Sequence, residues 1–549
     1  MPMQTIKGKR LELLHPQQPE DLVETLLSLR NVGREVFDDI LHDPCLLPDI
    51  EKVLERVRLA RERHERVMIF GDYDVDGVSS TAALFLFLRD ELELDVSYRL
   101  PHRVHDGYGI KSYHMDDIAQ TGTKLIITVD CGTKDRESIE YAQTLGMDVI
   151  VTDHHSCPQV LPQCIAVVNP QRSDSRYPFR GLSGSGVVWK IIHALSDFFF
   201  PEKTEEMLRK YVDIVSLGTV ADCMPMIDEN RTIVRRGVLQ SQKSHHPFFQ
   251  TFVDTLKRPI LTEEDIGFFV WPLLNAGGRI TTPYQSLATL LAGSLDSFAH
   301  IQELIGVNEI RKSKSREAFE RALATVDNSA PILVYIDEHL EHGILWLVAA
   351  KLTELYHKPS AVFTLHEGSY VGSLRAPLGI DLVRILDASA AYLARYGGHA
   401  GAAGCTIRAE DIDGARSALV MATEQLYSGH DATPVIRVDT VLDIRQIHLG
   451  MITALNSMRP FGQWFSAPLF LLPNISAPIV PLGQTGEHVR WDIPGVEVVG
   501  FRMGEYSEAL RWGSVHLIGT LKTHTWRDAV TPQFHVIDAI LSSGEPFSL

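Results

Sequence analysis

From about residue 60 to residue 155 the hydrophobic pattern repeats one unit: a short apolar run, a turn of polar and small residues, then a longer stretch with helical spacing. Residues 67–70 are apolar, stop at Gly71 and are followed by the helical run 78–86. Residues 124–129 stop at Asp130 and lead into a helical run ending at Leu145-Gly146, and residues 147–152 stop at Asp153. Short apolar runs bounded by turn residues predict buried strands, and strands alternating with helices predict a parallel sheet. Right-handed crossovers then gather the strand ends at one edge. Further on, residues 307–327 have the spacing of one long, mostly polar helix, and apolar runs at 331–336 and 360–363 open a second α/β segment. From about residue 434 the pattern changes to short strands at 435–438, 496–501, 514–521 and 533–537, which predict a small antiparallel barrel. Residues 1–66 have helical spacing broken at Asp43-Pro44 and read as a helical lead-in. The expected divisions are 1–50, 51–306, 307–327 as a connecting helix, 328–430 and 431–549.

The candidate chemistry sits where the apolar runs stop. The first strand ends in Asp72-Tyr73-Asp74-Val75-Asp76-Gly77, the second in Asp130 and the third in Asp153-His154-His155; a fourth candidate, Asp222, closes the apolar stretch 216–221. Carboxylates packed this closely repel one another unless a cation compensates them, and ligands bind at the carboxyl ends of strands in open α/β sheets. The implied chemistry is a hard divalent metal held by oxygen. An EF-hand loop also opens Asp-x-Asp-x-Asp-Gly, but it requires a bidentate Glu at its twelfth position, where this chain has Ala83, and it is entered from a helix. A solvated acidic turn, or an imidazole that only satisfies a hydrogen bond at the sheet edge, is the plainer alternative.

Composition narrows the picture. At 549 residues and 45% hydrophobic content the chain exceeds one core, so three or four domains are expected. A formal charge of -18 argues against coating nucleic acid through bulk positive charge, although a local basic groove stays possible. The six cysteines include no Cys-x-x-Cys pair, so reduced thiols are expected, with neither a zinc ribbon nor a disulfide framework. No leader and no membrane-spanning apolar run is recognisable, and a cytoplasmic location is expected.

Taken in order, the Asp-x-Asp-x-Asp-Gly turn, Asp130, Asp153-His154-His155 and Gly218-Thr219-Val220-Ala221-Asp222 resemble the four motifs of the DHH phosphoesterase superfamily. His105-Asp106-Gly107-Tyr108-Gly109, Asn275-Ala276-Gly277-Gly278-Arg279 and the run from Gly397-Gly398-His399 to Gly404 resemble further signatures of its bacterial RecJ branch, single-strand-specific 5′-to-3′ exodeoxyribonucleases. The resemblance implies an α/β fold with a parallel-sheet DHH domain, a smaller DHH-associated domain joined by a long helix, and a C-terminal OB-fold barrel. It also implies two-metal hydrolysis of phosphodiesters with Mn²⁺ or Mg²⁺. By the same resemblance Asp130 bridges the metals, Asp74 serves one, and Asp76, His154 and Asp222 serve the other. Asp72 is a ligand or a carboxylate one contact away, His155 donates to the scissile phosphate and Asp153 orients the site. Arg279, Ser373, Arg375 and His399 would hold the terminal phosphate and the scissile region of the strand. The basic residues of the long helix, Arg311, Lys312, Lys314, Arg316 and Arg321, offer a rail for a phosphate backbone or simply a solvated face.

The chain departs from the family pattern in places. Phe70 stands where some relatives have His, Gly277 where Ala is usual, and residues 460–468 replace the customary Gly-x-Gly-Asn-Pro segment. In the last domain Trp491, Phe501, Trp526 and Phe534 are candidates for base stacking, with a core role ranked first for each. Two other functions compete with the exonuclease. One is a phosphodiesterase of short oligonucleotides or cyclic dinucleotides, which would not need a third domain. The other is a non-catalytic scaffold, which would not need the retained ligands. The implied partners are single-stranded DNA, a single-strand-binding protein and a helicase, with the chain itself a monomer.

Overall fold

The computed structural model describes residues 3–103, 105–256, 261–431, 433–483, 485–511, 513–526 and 529–542. The chain forms two compact units, Asp39–His430 and a second made of Met1–Asp38 with Asp431–Leu549.

The larger unit is built first on a five-stranded sheet in the order Val96–Arg99, Val67–Phe70, Leu125–Val129, Asp148–Thr152, Ala166–Val168. Every pairing in it is parallel, as the repeated pattern predicts. Register puts Phe70 beside Thr128 and Val129 beside Thr152, so the residues that follow these strands leave the sheet side by side. The helix Val75–Asp90 is buried from Val75 to Leu88, because the sheet lies on one side and the helices Gly184–Phe199 and Thr204–Ala221 on the other. That double cover explains why its sequence is apolar nearly all round.

A 29-residue helix, Ser297–Thr325, runs on into the second sheet. It begins ten residues before the expected 307, because Ser297, Ile301, Leu304 and Val307 bury one helical stripe against the first core. Lys312, Lys314 and Arg321 are engaged by Glu309, Glu341 and Asp337, so three of the five cations proposed as a rail are compensated locally. The second sheet has the order Arg395–His399, Ala402–Arg408, Ser369–Arg375, Ser360–His366, Leu333–Ile336, and only its last pair is parallel.

The smaller unit departs from expectation in two ways. Its eight-stranded sheet is mixed rather than wholly antiparallel, with parallel pairings at Arg10–His15 with Val435–Val441, at Val435–Val441 with Phe470–Ile475, and at Glu497–Gly500 with Ala529–Leu541. The start of the chain is also not a purely helical lead-in. Arg10–His15 alternates exposed and half-buried positions and supplies the sheet's first strand, so the boundary expected at residue 50 falls between Asp38 and Asp39. Alternation over six residues is weaker than the helical spacing at Leu22–Leu29 and Ile50–Glu62, which masked it. Trp491 and Phe534 are core residues and Phe501 is exposed, while the side chain of Trp526 lies outside the described residues.

Candidate metal centre

The first acidic turn is shaped by two close approaches. A Cβ on Gly71 would stand 2.0 Å from Thr81 Oγ1, and one on Gly77 2.6 Å from the main chain of Asp72, so the turn folds tightly onto the start of its own helix. Asp74 caps that helix by accepting from the amides of Asp76 at 3.0 Å and Gly77 at 3.1 Å. Asp76 is buried at the N-terminus of another helix. Its two carboxylate oxygens accept from the amides of Gly184 (2.6 Å) and Ser185 (2.9 Å), where the helix Gly184–Phe199 begins after its Ser183 cap. Two charge-assisted bonds at a helix N-terminus favour the ionised carboxylate and fix its direction.

The neighbouring strand ends complete the cluster. Asp130 follows Leu125–Val129 with a φ of 62°, a left-handed conformation that Asp tolerates better than most residues, and its amide donates to Thr152 O at 3.0 Å. Asp153 follows Asp148–Thr152, and one of its oxygens accepts from the amides of His154 (2.7 Å) and His155 (3.0 Å) and from His155 Nδ1 (2.8 Å). The other accepts from the Thr133 amide at 3.0 Å. Asp153 thus sets the backbone and one ring of the Asp-His-His turn. Asp222 caps the C-terminus of the helix Thr204–Ala221, so it closes a helix rather than a strand.

Four separated segments therefore converge. His154 Nε2 lies 3.1 Å from Asp130 Oδ1, 3.6 Å from Asp222 Oδ2 and 3.9 Å from Asp76 Oδ2. Three overlapping ligand sets result: Asp72, Asp74 and Asp130; Asp76, His154 and Asp222; and Asp130, His154 and His155. Asp72 Oδ1, Asp130 Oδ1 and His154 Nε2 are buried without a hydrogen-bond partner among the described residues. Buried polar atoms are rarely left unpaired, and three orphaned donor atoms in one acidic cluster fit divalent cations.

Electrostatics point the same way. Burial, and then the charge of Asp74, pushes the Asp72 carboxyl well above the ordinary range; burial and the charges of Asp76, Asp74, Asp72 and Asp222 do so for Asp130. Burial also raises Asp76, partly offset by His154, and burial with Asp76 and Asp74 pushes Asp222 up to about 9. His154 is lowered by burial, which keeps its ring neutral and able to bind a metal. Asp153 is the exception. Burial would raise it, but the hydrogen bond and charge of His155 outweigh burial and hold it below the usual carboxylate range. His155 correspondingly rises, since the bond to Asp153 outweighs its own burial.

A cavity of about 110 Å³ opens beside the cluster, lined on its acidic side by Asp74, Asp76 and Asp222 and on its far side by Arg103, Asn275 and Arg279. Arg375 and Ser373 lie on the second sheet, Arg375 donating to Leu374 O at 2.7 Å and Ser373 Oγ at 3.3 Å. Arg375 and His399 both pair with Ala402 from opposite sides, and Ser373 and Gly397 both pair with Gly404. These residues share one face, with only alanine and glycine between them. His399 is exposed, two strands from Arg375.

Several functional positions were not singled out as site residues in the sequence. Arg103 joins the cavity wall, with its guanidinium 4.8 Å from the centre of the Tyr73 ring. Tyr108 Oη lies 3.0 Å from His155 Nδ1 and donates to Asp130 O at 3.2 Å. Gly184 and Ser185 hold Asp76; the run Ser183-Gly184-Ser185-Gly186 before an apolar stretch is a helix-start signal that could have revealed them. Phe70 packs in the core with its ring 5.2 Å from that of His114.

The packing behind Asp76 gives a direct test. A Cβ on Gly218 would meet Asp76 Oδ1 at 2.3 Å and Ser185 Oγ at 2.4 Å. Gly218→Ala is expected to cost about 1–3 kcal/mol of stability and to push Asp76 out of position, read as a lower melting temperature with weakened metal affinity.

Three family models match in chain order: the DHH family, N-terminal domain, over residues 66–219, the DHHA1 domain over 329–425 and the RecJ OB domain over 438–538. Fold and site together place the chain in the DHH class of proteins. The chain is 30% identical over 451 residues to the single-stranded-DNA-specific exonuclease RecJ of Salmonella typhimurium, covering 77% of this chain and 78% of that protein. It is 30% identical over 528 residues to RecJ of Bacillus subtilis, covering 93% of this chain and 66% of that protein's length. The crystal structure of Thermus thermophilus RecJ in complex with Mn²⁺ shares the fold with a TM-score of 0.82 at 22% identity, over 98% of this chain and 80% of that one. The chain belongs to the RecJ family.

Proposed function

We propose that this chain is a metal-dependent exonuclease that degrades single-stranded DNA from its 5′ end to mononucleotides. The observation that carries the reading is the meeting of Asp72, Asp74, Asp76, Asp130, His154 and Asp222 at one sheet edge, with orphaned atoms on three of them. Relatives named as single-stranded-DNA-specific exonucleases support the substrate, and a RecJ structure described as bound to manganese, with 25% identity and a TM-score of 0.61, supports the metal. The DNA degraded is that of repair and recombination intermediates.

In this reading two ions of Mn²⁺ or Mg²⁺ would be held by two groups of residues that share Asp130: Asp74 on one side, with Asp72 as a further ligand or a carboxylate one contact away, and Asp76, His154 and Asp222 on the other. When bound, such ions lower the pKa of a water and neutralise charge building on the phosphoryl and leaving oxygens. The chain's own groups do the rest. Asp153 holds the Nδ1 side of the His155 ring, which favours the charged imidazole and leaves Nε2 to donate to a non-bridging phosphate oxygen. Arg279 and Arg375, joined by Arg103, provide the positive side of the cleft on which the strand's terminal phosphate is held, with Ser373 and His399 as further hydrogen-bonding groups. The described helices include none long and apolar enough to cross a membrane. As our own reading, the enzyme works in the cytoplasm as a monomer. There it would act with a single-strand-binding protein and a helicase that exposes the strand.

The test is digestion of 5′-labelled and 3′-labelled single strands, a duplex and a dinucleotide, with and without Mn²⁺. Early release of mononucleotide from the 5′ label alone is expected. Equal or faster turnover of the dinucleotide would replace this reading with a small-substrate phosphodiesterase, and tight strand binding without turnover with a scaffold.

A further inference from the structure

We propose that Trp346 is a positioning residue, an indole wedge that holds Arg279 and Arg375 apart as a two-armed clamp for a terminal phosphate. This inference rests on the function proposed above.

Arg279 comes from the end of the helix Trp271–Ile280 and Arg375 from the end of the strand Ser369–Arg375, so nothing in the local chain sets their separation. Trp346 sits at the start of the helix Leu345–Tyr356. Its ring faces both guanidinium groups, with the Arg279 carbon 4.2 Å and the Arg375 carbon 5.6 Å from the ring centre. The approach is built into the backbone. A Cβ on Gly343, three residues earlier, would lie 2.1 Å from Arg279 O, so only glycine lets this segment seat against the end of the arginine's helix.

Two half-buried cations placed this way repel each other, and burial, with the charges of neighbouring arginines, lowers both from their ordinary values. Among the described residues neither makes an ion pair with a carboxylate, although the charge of Asp74 reaches Arg279, and Arg279 Nε has no hydrogen-bond partner. A purely structural arginine pair would be neutralised by acids. An aromatic face stabilises a cation without consuming its hydrogen-bond donors, so both forks stay available to an anion. A terminal phosphate, with more charge and one more free oxygen than an internal phosphodiester, gains most from two forks.

The experiment uses the full-length chain in EDTA, so that binding is read without turnover. Equilibrium affinity is measured by fluorescence anisotropy for one single strand bearing either a 5′-phosphate or a 5′-hydroxyl, for wild type, Trp346→Leu, Trp346→Phe and Arg375→Ala. Thermal melting checks that each variant is folded. Trp346→Leu is expected to cut the phosphate-over-hydroxyl affinity ratio about tenfold while changing hydroxyl-end affinity less than about twofold. Trp346→Phe should restore the ratio to within about threefold, and adding Trp346→Leu to Arg375→Ala should cost little more. Equal losses on both strands, or failure of Phe to restore the ratio, would show Trp346 to be packing only and overturn the proposal. Absence of strand binding by wild type both in EDTA and with Ca²⁺ added would instead overturn the exonuclease reading, and the clamp with it.

Discussion

Asp130→Asn is expected to lower the turnover of single-stranded DNA by about 10³-fold or more while leaving strand binding within a few-fold of wild type. The size follows from removing the one carboxylate shared between ligand sets, which costs several kcal/mol of charge stabilisation, and each 1.36 kcal/mol is tenfold in rate. Asparagine keeps the side chain's shape and tolerates the φ of 62° at this position, so the variant tests charge rather than fold. It also removes a buried carboxylate whose neighbours Asp76, Asp74, Asp72 and Asp222 all repel it. The metal-free variant should therefore melt no lower than the metal-free wild type at pH 8. A lower melting temperature, or turnover within tenfold of wild type, would contradict the role given to Asp130. Single-turnover digestion, anisotropy and calorimetry on the same preparations measure all three quantities.

The second large effect is a metal-linked dependence of stability on pH. Without metal, Asp72, Asp76, Asp130 and Asp222 have raised values in the folded chain, Asp222 at about 9, so the fold binds more protons than the unfolded chain does. Their stabilising contribution is complete below the ordinary carboxylate pKa, near 4, and is lost as pH rises through the folded values. Asp153 has the opposite sign, but its lowered value places its transition at the acid extreme. Melting in EDTA should fall from pH 6 to pH 9. A divalent cation binds the ionised form, so its stabilisation should grow over the same interval, reaching roughly 2.7 kcal/mol at a hundredfold excess over Kd. A metal-induced shift of equal size at pH 6 and pH 9 would contradict the linkage.

What could be read in advance was what local pattern controls. Val67–Phe70, Leu125–Val129 and Asp148–Thr152 are short, mostly apolar and bounded by turns, and register plus right-handed crossovers leaves their acidic ends little freedom. Asp222 could be singled out only as a weaker candidate, because the end of a buried helix has no pattern distinguishing a ligand from a cap, and its weight came from the other three acidic segments. Long-range placement was harder. Arg10–His15 pairs with a strand more than 400 residues away, and nothing near it in sequence announces the partner. Arg103, Gly184, Ser185 and Trp346 belong to the site because separate elements meet there, and each reads locally as a loop, a cap or a core residue. The ion pairs on the long helix were hidden for a similar reason, since Glu341 and Asp337, which engage Lys314 and Arg321, come from the next segment.

The central claim is that the cluster captures a pair of divalent cations through Asp130. Titration of Mn²⁺ into metal-free protein, with free ion counted by electron paramagnetic resonance, tests it most directly. Two ions per chain are expected in wild type, with Asp130→Asn weakening both sites. Binding of no Mn²⁺ by wild type, or binding unchanged in the variant, would contradict it.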